Sequence, residues 1–286
     1  MRIALLQYSI AWADKETNLR YAEERIAALA GKADVAVLPE MFATGFCTDH
    51  PELAEPMDGD IIRRLQTLAN QTGVAIVSSF ICSPDSLIAS SPHRLTNRGF
   101  MIKPSHITNG SKSIHYPLAQ RPLPNSVASI EVQDKRHLYA HGGEDLFFQP
   151  AQHRHIFEYK GVKILLLVCY DLRFPVWARN RSGHDYDLIL VVANWPEVRI
   201  QYWDALIAAR ATENQAYIAA VNCTGEDGMG LHYNGHSVAY DTRLQPIVSF
   251  ADDEEGTKIA DFDIAKLHHF REVLPLWKDV DNFALQ

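Results

Sequence analysis

Three residues with complementary chemistry each follow a run of apolar, strand-like sequence. Cys169 comes directly after residues 164–168, Glu40 closes the run that begins at residue 35, and Lys135 follows residues 127–133. Open α/β sheets usually place their ligands at the carboxyl ends of their strands. If the three strands share one sheet, we therefore expect the three side chains to meet at one edge of it.

A thiol, a carboxylate and an ammonium group together make a workable set for acyl transfer. The thiol attacks as a thiolate, so it needs a base or a positive potential nearby. Glu40 has the apolar neighbours Leu38 and Phe42, which disfavour its charged form and suit it to act as a general base. Lys135 would favour the thiolate and donate to a developing oxyanion. Glu40 would take the thiol proton and return it to a leaving amine, and water would then hydrolyse the thioester.

Each of these residues also has an ordinary structural explanation. A free cysteine is commonly a small buried hydrophobe. Glu40 follows a proline and could cap a helix or lie on the surface, and Lys135 lies in a polar stretch typical of a solvated turn. Taken singly, each residue is more often structural than catalytic. Taken together, the three favour the catalytic interpretation.

The elements that must position these residues alternate between strand and helix. The alternation favours an α/β architecture and one domain over residues 1–286, since no repeat or interdomain linker is apparent. The predicted strands are residues 2–8, 34–40, 74–80, 97–102, 127–133, 161–168, 187–193, 216–222, 236–240 and 258–262. The predicted helices are residues 15–29, 61–71, 202–214 and 264–269, and Gly31 and Gly73 follow the first two.

Two segments carry neither pattern. Residues 103–126 are rich in Pro, Ser, Asn and His, and we predict a long loop there. The tail over residues 273–286 carries Leu274, Leu276, Trp277 and Phe283 without helical spacing. Apolar side chains of this size are costly to leave in water, so we expect the tail to pack on the body or on a second subunit.

Composition excludes several classes of partner. The formal charge of −8 argues against binding to nucleic acid or to a membrane surface, which would need a basic patch. The N-terminal apolar run is too short for a signal peptide, and no run reaches the roughly 20 residues of a spanning helix. The 4 cysteines are far apart, which favours free thiols in a reducing cytoplasm.

Three blocks of the sequence resemble the signatures of the nitrilase, or carbon–nitrogen hydrolase, superfamily. They are Leu38-Pro-Glu-Met-Phe42, Asp134-Lys-Arg-His-Leu138 and Val168-Cys-Tyr-Asp-Leu-Arg-Phe-Pro175, in that order. The resemblance covers essentially the whole chain. The third block, Ala193-Asn-Trp-Pro196 and the tail Phe270-Arg-Glu-Val-Leu-Pro-Leu-Trp277 are most similar to the omega-amidase branch, which hydrolyses the terminal amide of 2-oxoglutaramate and 2-oxosuccinamate.

The resemblance implies a role for each of several residues. Glu40 would be the general base, Lys135 the oxyanion stabiliser and Cys169 the nucleophile, with the backbone N–H of Tyr170 completing the oxyanion hole. Glu144 matches a second catalytic glutamate of the family, although Asp145 beside it is an alternative. The family implies a four-layer α-β-β-α sandwich, a homodimer or higher homo-oligomer paired through its helical face, and no cofactor. Residues 105–126 depart from the family's short hairpin, and could be a lid, a dimer contact or a disordered insertion.

Residues near the third block are candidates for substrate binding. Arg173 could pair with the carboxylate of an α-keto acid, or instead with Asp171 or the following turn. The aromatic residues Phe42, Tyr170, Phe174 and Trp195 could wall the pocket or belong to the core. We expect no metal, because the spacing of His137, His141, His153 and His155 matches no standard zinc pattern.

The sequence leaves three functional hypotheses open. The first is a cytoplasmic thiol amidase that acts on a small, linear ω-amide. The second keeps the same three residues but changes the substrate, as in another aliphatic amidase, a carbamoylase or an amide-editing enzyme. The third is a nitrilase-like binding protein without turnover, and the presence of Glu40, Lys135 and Cys169 argues against it.

Overall fold

The computed structural model describes residues 1–84, 94–105 and 129–281. Its strands are Arg2–Gln7 (β1), Val35–Val37 (β2), Ala75–Cys82 (β3), Thr96–Ile102 (β4), Ile130–Asp134 (β5), Ile156–Tyr159 (β6), Val162–Val168 (β7), Leu188–Val192 (β8), Tyr217–Val221 (β9), Thr224–Glu226 (β10), His232–Asn234 (β11), Val238–Tyr240 (β12), Pro246–Ser249 (β13) and Gly256–Asp261 (β14). Its α-helices are Lys15–Ala27 (α1), Asp60–Thr72 (α2), Glu144–Phe147 (α3), Pro175–Ala178 (α4), Ile200–Asn214 (α5) and Ile264–Val273 (α6).

The described strands form two six-stranded mixed sheets and a small hairpin of β10 with β11. The first sheet has the order β14-β1-β2-β3-β4-β5 and the second the order β13-β12-β9-β8-β7-β6. At the centre of each sheet three strands run parallel, β1 to β3 in the first and β7 to β9 in the second. Parallel neighbours need a crossover connection, and helices α1, α2 and α5 lie in three of these crossovers.

The two sheets pack face to face between layers of helices. On β1, Ile3 and Leu5 join the core between the sheets, whereas Ala4 and Leu6 join the core under α1 and α2. On β7 the same alternation sends Leu166 between the sheets and Leu167 toward α5. Both faces of these strands are therefore buried, which explains their continuous apolar sequences. The predicted α-β-β-α sandwich is confirmed.

Several predicted elements differ in their bounds. Helix α1 ends at Ala27 rather than at residue 29, and Gly31 lies in the turn beyond it at φ +73°. Gly73 does end α2, in the left-handed conformation at φ +71°. The strand predicted over residues 34–40 ends at Val37, so Glu40 lies in the turn that follows it. Strands β6, β10, β11 and β13 and helices α3 and α4 are 3–4 residues long and were not predicted, since they are too short for a period to show.

The two irregular segments are described only in part. Of the predicted loop over residues 103–126, residues 106–126 lie outside the described residues. In the tail, Trp277 lies over Gly183 and its ring centre is 5.6 Å from that of His184. Gln215 also donates to the carbonyl of Leu274 at 2.7 Å. The tail therefore contacts the body as far as it is described, while the side chains of Leu274 and Leu276 stay exposed. Among the described helices, none has the length and apolar character needed to cross a membrane.

Candidate active site

The three candidate catalytic residues come from two sheets rather than one. Glu40 and Lys135 follow strands β2 and β5 of the first sheet, whereas Cys169 follows β7 of the second. The expectation that the three strands share a sheet is therefore wrong. Face-to-face packing of the sheets brings their strand ends together, so the residues still meet at one place.

Lys135 lies between two carboxylates with no access to solvent. Its Nζ is 3.0 Å from Glu40 Oε1 and 2.8 Å from Glu144 Oε2, and all three side chains are fully buried. Asn97 on β4 donates from Nδ2 to both glutamates, at 2.7 Å to Glu40 and 2.9 Å to Glu144. The structure thus joins Glu144, and not the exposed Asp145, to the cluster.

Backbone groups fix the remaining carboxylate oxygens. Asn194, just after β8, donates its N–H to Glu40 Oε2 at 3.0 Å and its side-chain amide to the Glu40 carbonyl at 2.9 Å. The N–H of Tyr139 donates to Glu144 Oε2 at 2.7 Å. Both carboxylates therefore accept hydrogen bonds at each oxygen, which sets their orientation and offsets the cost of burying their charge.

Burial and the neighbouring charges shift the pKa values of Lys135 and Glu144. Burial alone would lower the pKa of the Lys135 ammonium, but the carboxylates of Glu144 and Glu40 outweigh it and hold the pKa above its usual value. Burial raises the pKa of the Glu144 carboxyl, against the opposing effect of Lys135. Lys135 is thus a fixed positive charge in a site with little water, where electrostatic effects are strong.

The backbone at Cys169 adopts a conformation that is unusual for a side chain of its size. Strand β7 ends at Val168, and Cys169 lies in the left-handed region at φ +46°, at the start of the 3-10 turn Cys169–Arg173. Asp171 holds this turn by accepting from the N–H of Val168 at 3.2 Å and from the N–H of His137 at 2.8 Å. One buried carboxylate therefore ties the Cys169 turn to the segment that follows Lys135. Strained positions of this kind cluster at functional sites.

The thiol of Cys169 is protonated at rest. Burial raises its pKa well above the usual value, and the negative charges of Glu40 and Glu144 raise it further, while Lys135 acts in the opposite direction. Among the neighbouring groups, the charge of Glu40 makes the largest raising contribution to the pKa of the thiol, whose Sγ lies 3.9 Å from the carbonyl oxygen of Asn194. A carboxylate whose charge acts on the thiol is suited to serve as its base.

A cavity of about 290 Å³ opens onto this cluster. Its lining includes five of the residues predicted to form the site, namely Lys135, Cys169, Tyr170, Arg173 and Trp195. The volume is that of a small molecule, since ligand pockets begin at about 300 Å³.

Two of the aromatic residues predicted to wall the pocket lie elsewhere. Phe42 is fully buried in the core under α1 and α2, where its ring meets that of Phe100 at 6.3 Å. Phe174 stacks on His137 at 3.7 Å, outside the cavity lining. Both contribute to the support of the site rather than to its wall.

Arg173 does not pair with Asp171, which was one of its predicted alternatives. Its guanidinium carbon lies 4.7 Å from the ring centre of Trp195 and 5.1 Å from that of Tyr202. Asp171 instead bonds to Nδ1 of His137 at 2.8 Å. Stacking on aromatic faces holds the guanidinium in place and leaves its N–H groups available to the cavity.

The histidines considered as metal ligands lie in different surroundings. His137 pairs with Asp171, His155 pairs with Glu131 at 2.6 Å, and His141 lines the cavity. Over the described ranges, no three His, Cys, Asp or Glu side chains are grouped so as to hold a metal ion.

Asn97, Asn194 and Asp171 are site residues to which sequence reasoning assigned no role. Asn194 lies two residues after the end of β8 and Asp171 three residues after the end of β7, and that closeness to the end of an apolar strand was the available signal. Asn97 lies inside a strand, where a polar residue usually faces water. Nothing local marks it as a partner of two glutamates.

Comparison with known proteins finds similarity to one family of enzymes along nearly the whole chain. The carbon-nitrogen hydrolase family model matches residues 2–272. Omega-amidase YafV of Escherichia coli (strain K12) is 36% identical over 286 residues, which are 100% of this chain and 98% of the relative. The 2-oxoglutaramate amidase of Bacillus subtilis (strain 168) is 29% identical over 280 residues, which are 97% of this chain and 96% of the relative.

A solved structure agrees with the fold in detail. XC1258 from Xanthomonas campestris, described as a CN-hydrolase superfamily protein with an arsenic adduct in its active site, is 34% identical with a TM-score of 0.86. The match covers 100% of this chain and 99% of that one. The present chain belongs to the carbon–nitrogen hydrolase family. It is an enzyme, a hydrolase acting on carbon–nitrogen bonds other than peptide bonds.

Proposed function

We propose that this enzyme is an omega-amidase that hydrolyses the terminal amide of 2-oxoglutaramate or 2-oxosuccinamate through a thioester on Cys169. The observation that carries the proposal is the fully buried cluster of Lys135 with Glu40 and Glu144, beside Cys169 in one cavity. The names of the relatives from Escherichia coli and Bacillus subtilis support the choice of substrate.

The first half of the reaction forms the thioester. Glu40 removes the thiol proton as sulfur attacks the amide carbon, so that transfer to the base overcomes the raised pKa of Cys169. The developing oxyanion accepts hydrogen bonds from Lys135 Nζ and the N–H of Tyr170. When the tetrahedral intermediate collapses, Glu40 returns the proton to nitrogen, the carbon–nitrogen bond breaks and ammonia leaves.

The second half of the reaction uses the same groups. Glu40 takes a proton from water, the hydroxyl oxygen attacks the thioester carbon, and the oxyanion again binds to Lys135 and the N–H of Tyr170. Collapse expels the sulfur, which recovers its proton from Glu40, and the acid product leaves. Glu144 acts throughout by holding Lys135 in position from 2.8 Å.

The position of Arg173 in the cavity lining favours a substrate that carries a carboxylate. Its guanidinium lines the cavity, and no side-chain hydrogen bond or ion pair occupies it among the described residues. A carboxylate can bind to such a fork through two parallel hydrogen bonds. An ω-amide acid would then lie with its amide at Cys169 and its carboxylate at Arg173.

Intact-mass measurement after mixing with 2-oxoglutaramate tests the mechanism. We expect a mass increase equal to the acyl group in the wild type and in Cys82→Ala, which removes a buried thiol on β3, but not in Cys169→Ala. Normal turnover by Cys169→Ala would refute the proposal. Release of ammonia from N-carbamoyl amino acids alone would identify a carbamoylase instead.

We also propose that the enzyme forms a homodimer in the cytoplasm. Val176 on α4, Val198 before α5 and Tyr202 on α5 are exposed apolar side chains, and α4 and α5 contact each other. Light scattering should give the mass of a dimer for the wild type and a lower mass for Tyr202→Glu.

Within the described residues no disulfide joins the 4 cysteines, as suits a reducing compartment such as the cytoplasm. Cell fractionation that found the protein outside the cytoplasm would contradict the location.

A further inference from the structure

A second arginine lines the same cavity as Cys169. The guanidinium carbon of Arg199 lies 5.4 Å from the ring centre of Tyr139, and its side chain is half-buried. Across the described residues it has no carboxylate partner. Its backbone is fixed by two hydrogen bonds, from its N–H to Pro196 at 3.0 Å and to its carbonyl from Trp195 Nε1 at 2.8 Å. Arg199 is thus a positioned cation that no ion pair explains.

The charges divide the cavity into two unlike regions. The reactive region holds two carboxylates and one ammonium, Glu40, Glu144 and Lys135, with a net charge of −1. The lining also includes Arg173 and Arg199, which both adjoin Trp195: the guanidinium carbon of Arg173 lies 4.7 Å from its ring centre, and its Nε1 donates to the carbonyl of Arg199. An uncharged amide suits the first region and an anion the second, so the cavity favours a substrate with an amide at one end and a carboxylate at the other.

Asp227, a carboxylate in the cavity lining, already accepts hydrogen bonds within its own turn. Asp227 accepts from the N–H groups of Met229 at 2.8 Å and Leu231 at 3.0 Å, and from the hydroxyl of Tyr233 at 2.8 Å. Its two oxygens therefore hold their own turn together. The carboxylate keeps its charge, but an ammonium group on the substrate would meet two arginines against this one carboxylate, whereas an oxo group would accept from a guanidinium.

We propose that Arg199 is a specificity-determining residue which, together with Arg173, selects an α-oxo acid over the corresponding α-amino acid. This inference rests on the proposed omega-amidase function. Arg173 binds the carboxylate, and Arg199 donates to the adjacent oxo oxygen and repels an α-ammonium group. Planar, rigid guanidinium groups suit two neighbouring acceptors of this kind.

Steady-state kinetics with three amides tests the proposal. 2-Oxoglutaramate carries the carboxylate and oxo group, glutamine carries an ammonium in place of the oxo group, and butyramide carries neither. In Arg199→Met we expect kcat/KM for 2-oxoglutaramate to fall by about 30-fold while that for butyramide changes by less than about twofold. The kcat/KM for glutamine should fall by less than that for 2-oxoglutaramate, so the ratio of the two values, which measures the preference for the oxo acid, should decrease.

Two further variants separate the effect of position from that of charge. Arg199→Lys keeps the charge but loses the planar fork, so it should retain discrimination against glutamine and lose part of the rate with 2-oxoglutaramate. Arg243→Met removes an arginine that lies 5.9 Å from the ring centre of Phe270, outside the cavity lining, and should leave all three substrates unaffected.

The outcomes distinguish this inference from the proposed function. Wild-type activity on 2-oxoglutaramate with an unchanged oxo-to-amino preference in both Arg199 variants overturns the role of Arg199 alone. Absence of wild-type activity on 2-oxoglutaramate overturns the proposed function, and this inference with it. An equal loss with all three amides would show a structural effect and would also overturn the inference.

Discussion

The ammonium of Lys135 lies 2.8 Å from Oε2 of Glu144, and neither side chain reaches solvent. Removing one partner of a buried ion pair is costly, because the other charge is left without compensation. Here Glu40 shares the same ammonium, so the cluster carries one negative charge in excess. That excess acts on the Cys169 thiol, and it makes the protonation of the site sensitive to each carboxylate.

Glu144→Gln should lower the pKa of the Cys169 thiol, because the negative charge of Glu144 raises it. Iodoacetamide alkylation followed against pH should therefore shift to lower pH. We also expect kcat to fall by about 10²-fold, since Lys135 loses a group that positions it. Glu213→Gln, which alters an ion pair with Arg210 away from the cavity, is the control. An unchanged alkylation profile would contradict the electrostatic argument.

Lys135→Met should abolish turnover and cost about 3–5 kcal/mol of unfolding free energy. Burial already raises the pKa of the Glu144 carboxyl, and the positive charge of Lys135 opposes that rise. Loss of the Lys135 ammonium should therefore raise the pKa of Glu144 further. A carboxyl whose pKa is raised on folding contributes stability below its unfolded pKa, and this is lost as the pH rises through the folded value. Urea denaturation should thus find the variant more stable at pH 5.5 than at pH 8.

The double variant Lys135→Met/Glu144→Gln provides the control for that prediction. It removes one of the two carboxylates left without a cation, so it should recover part of the lost stability. Interaction energies between contacting groups are measured in this way. Strict additivity of the two single changes, together with a pH-independent loss, would show that charge is not the cause.

Cys169→Ala should change how stability depends on alkaline pH. The thiol has its pKa raised on folding, so its contribution is fully present below the unfolded pKa of about 8.5 and is lost as the pH rises toward the folded value. The wild type should therefore lose more stability than Cys169→Ala between pH 8 and 10. Other buried groups affect both proteins equally, so the difference isolates this thiol. Parallel stability curves would refute the prediction.

Asp171→Asn should reduce both stability and kcat. The carboxylate accepts from the N–H groups of Val168 and His137 at different oxygens, and an amide would turn a donor toward one of them. The expected cost is about 1–3 kcal/mol. Thermal unfolding and initial rates measure it. Asp241→Asn, in a turn away from the site, should affect stability slightly and activity not at all.

Much of the fold was accessible from local pattern. The alternation of apolar strands with helices gave the α/β class, and the three sequence blocks carried the resemblance to the carbon–nitrogen hydrolase family. Short elements such as β6 and α3 were missed, because 4 residues do not display a period. The end of β2 at Val37 was also missed, since apolar residues continue past it into the turn.

The sequence by itself identified Glu40, Lys135 and Cys169 as candidate catalytic residues and indicated the family to which the chain belongs. Only the tertiary structure decided that these residues come from two sheets, and that Asn97 bridges the two glutamates while Phe42 lies in the core. The physical reason is that periodicity reports which face of a strand is buried, but not which other strand or helix covers that face. Contacts between residues 57 or 95 positions apart, as from Asn97 or Lys135 to Glu40, follow from the packing of whole sheets.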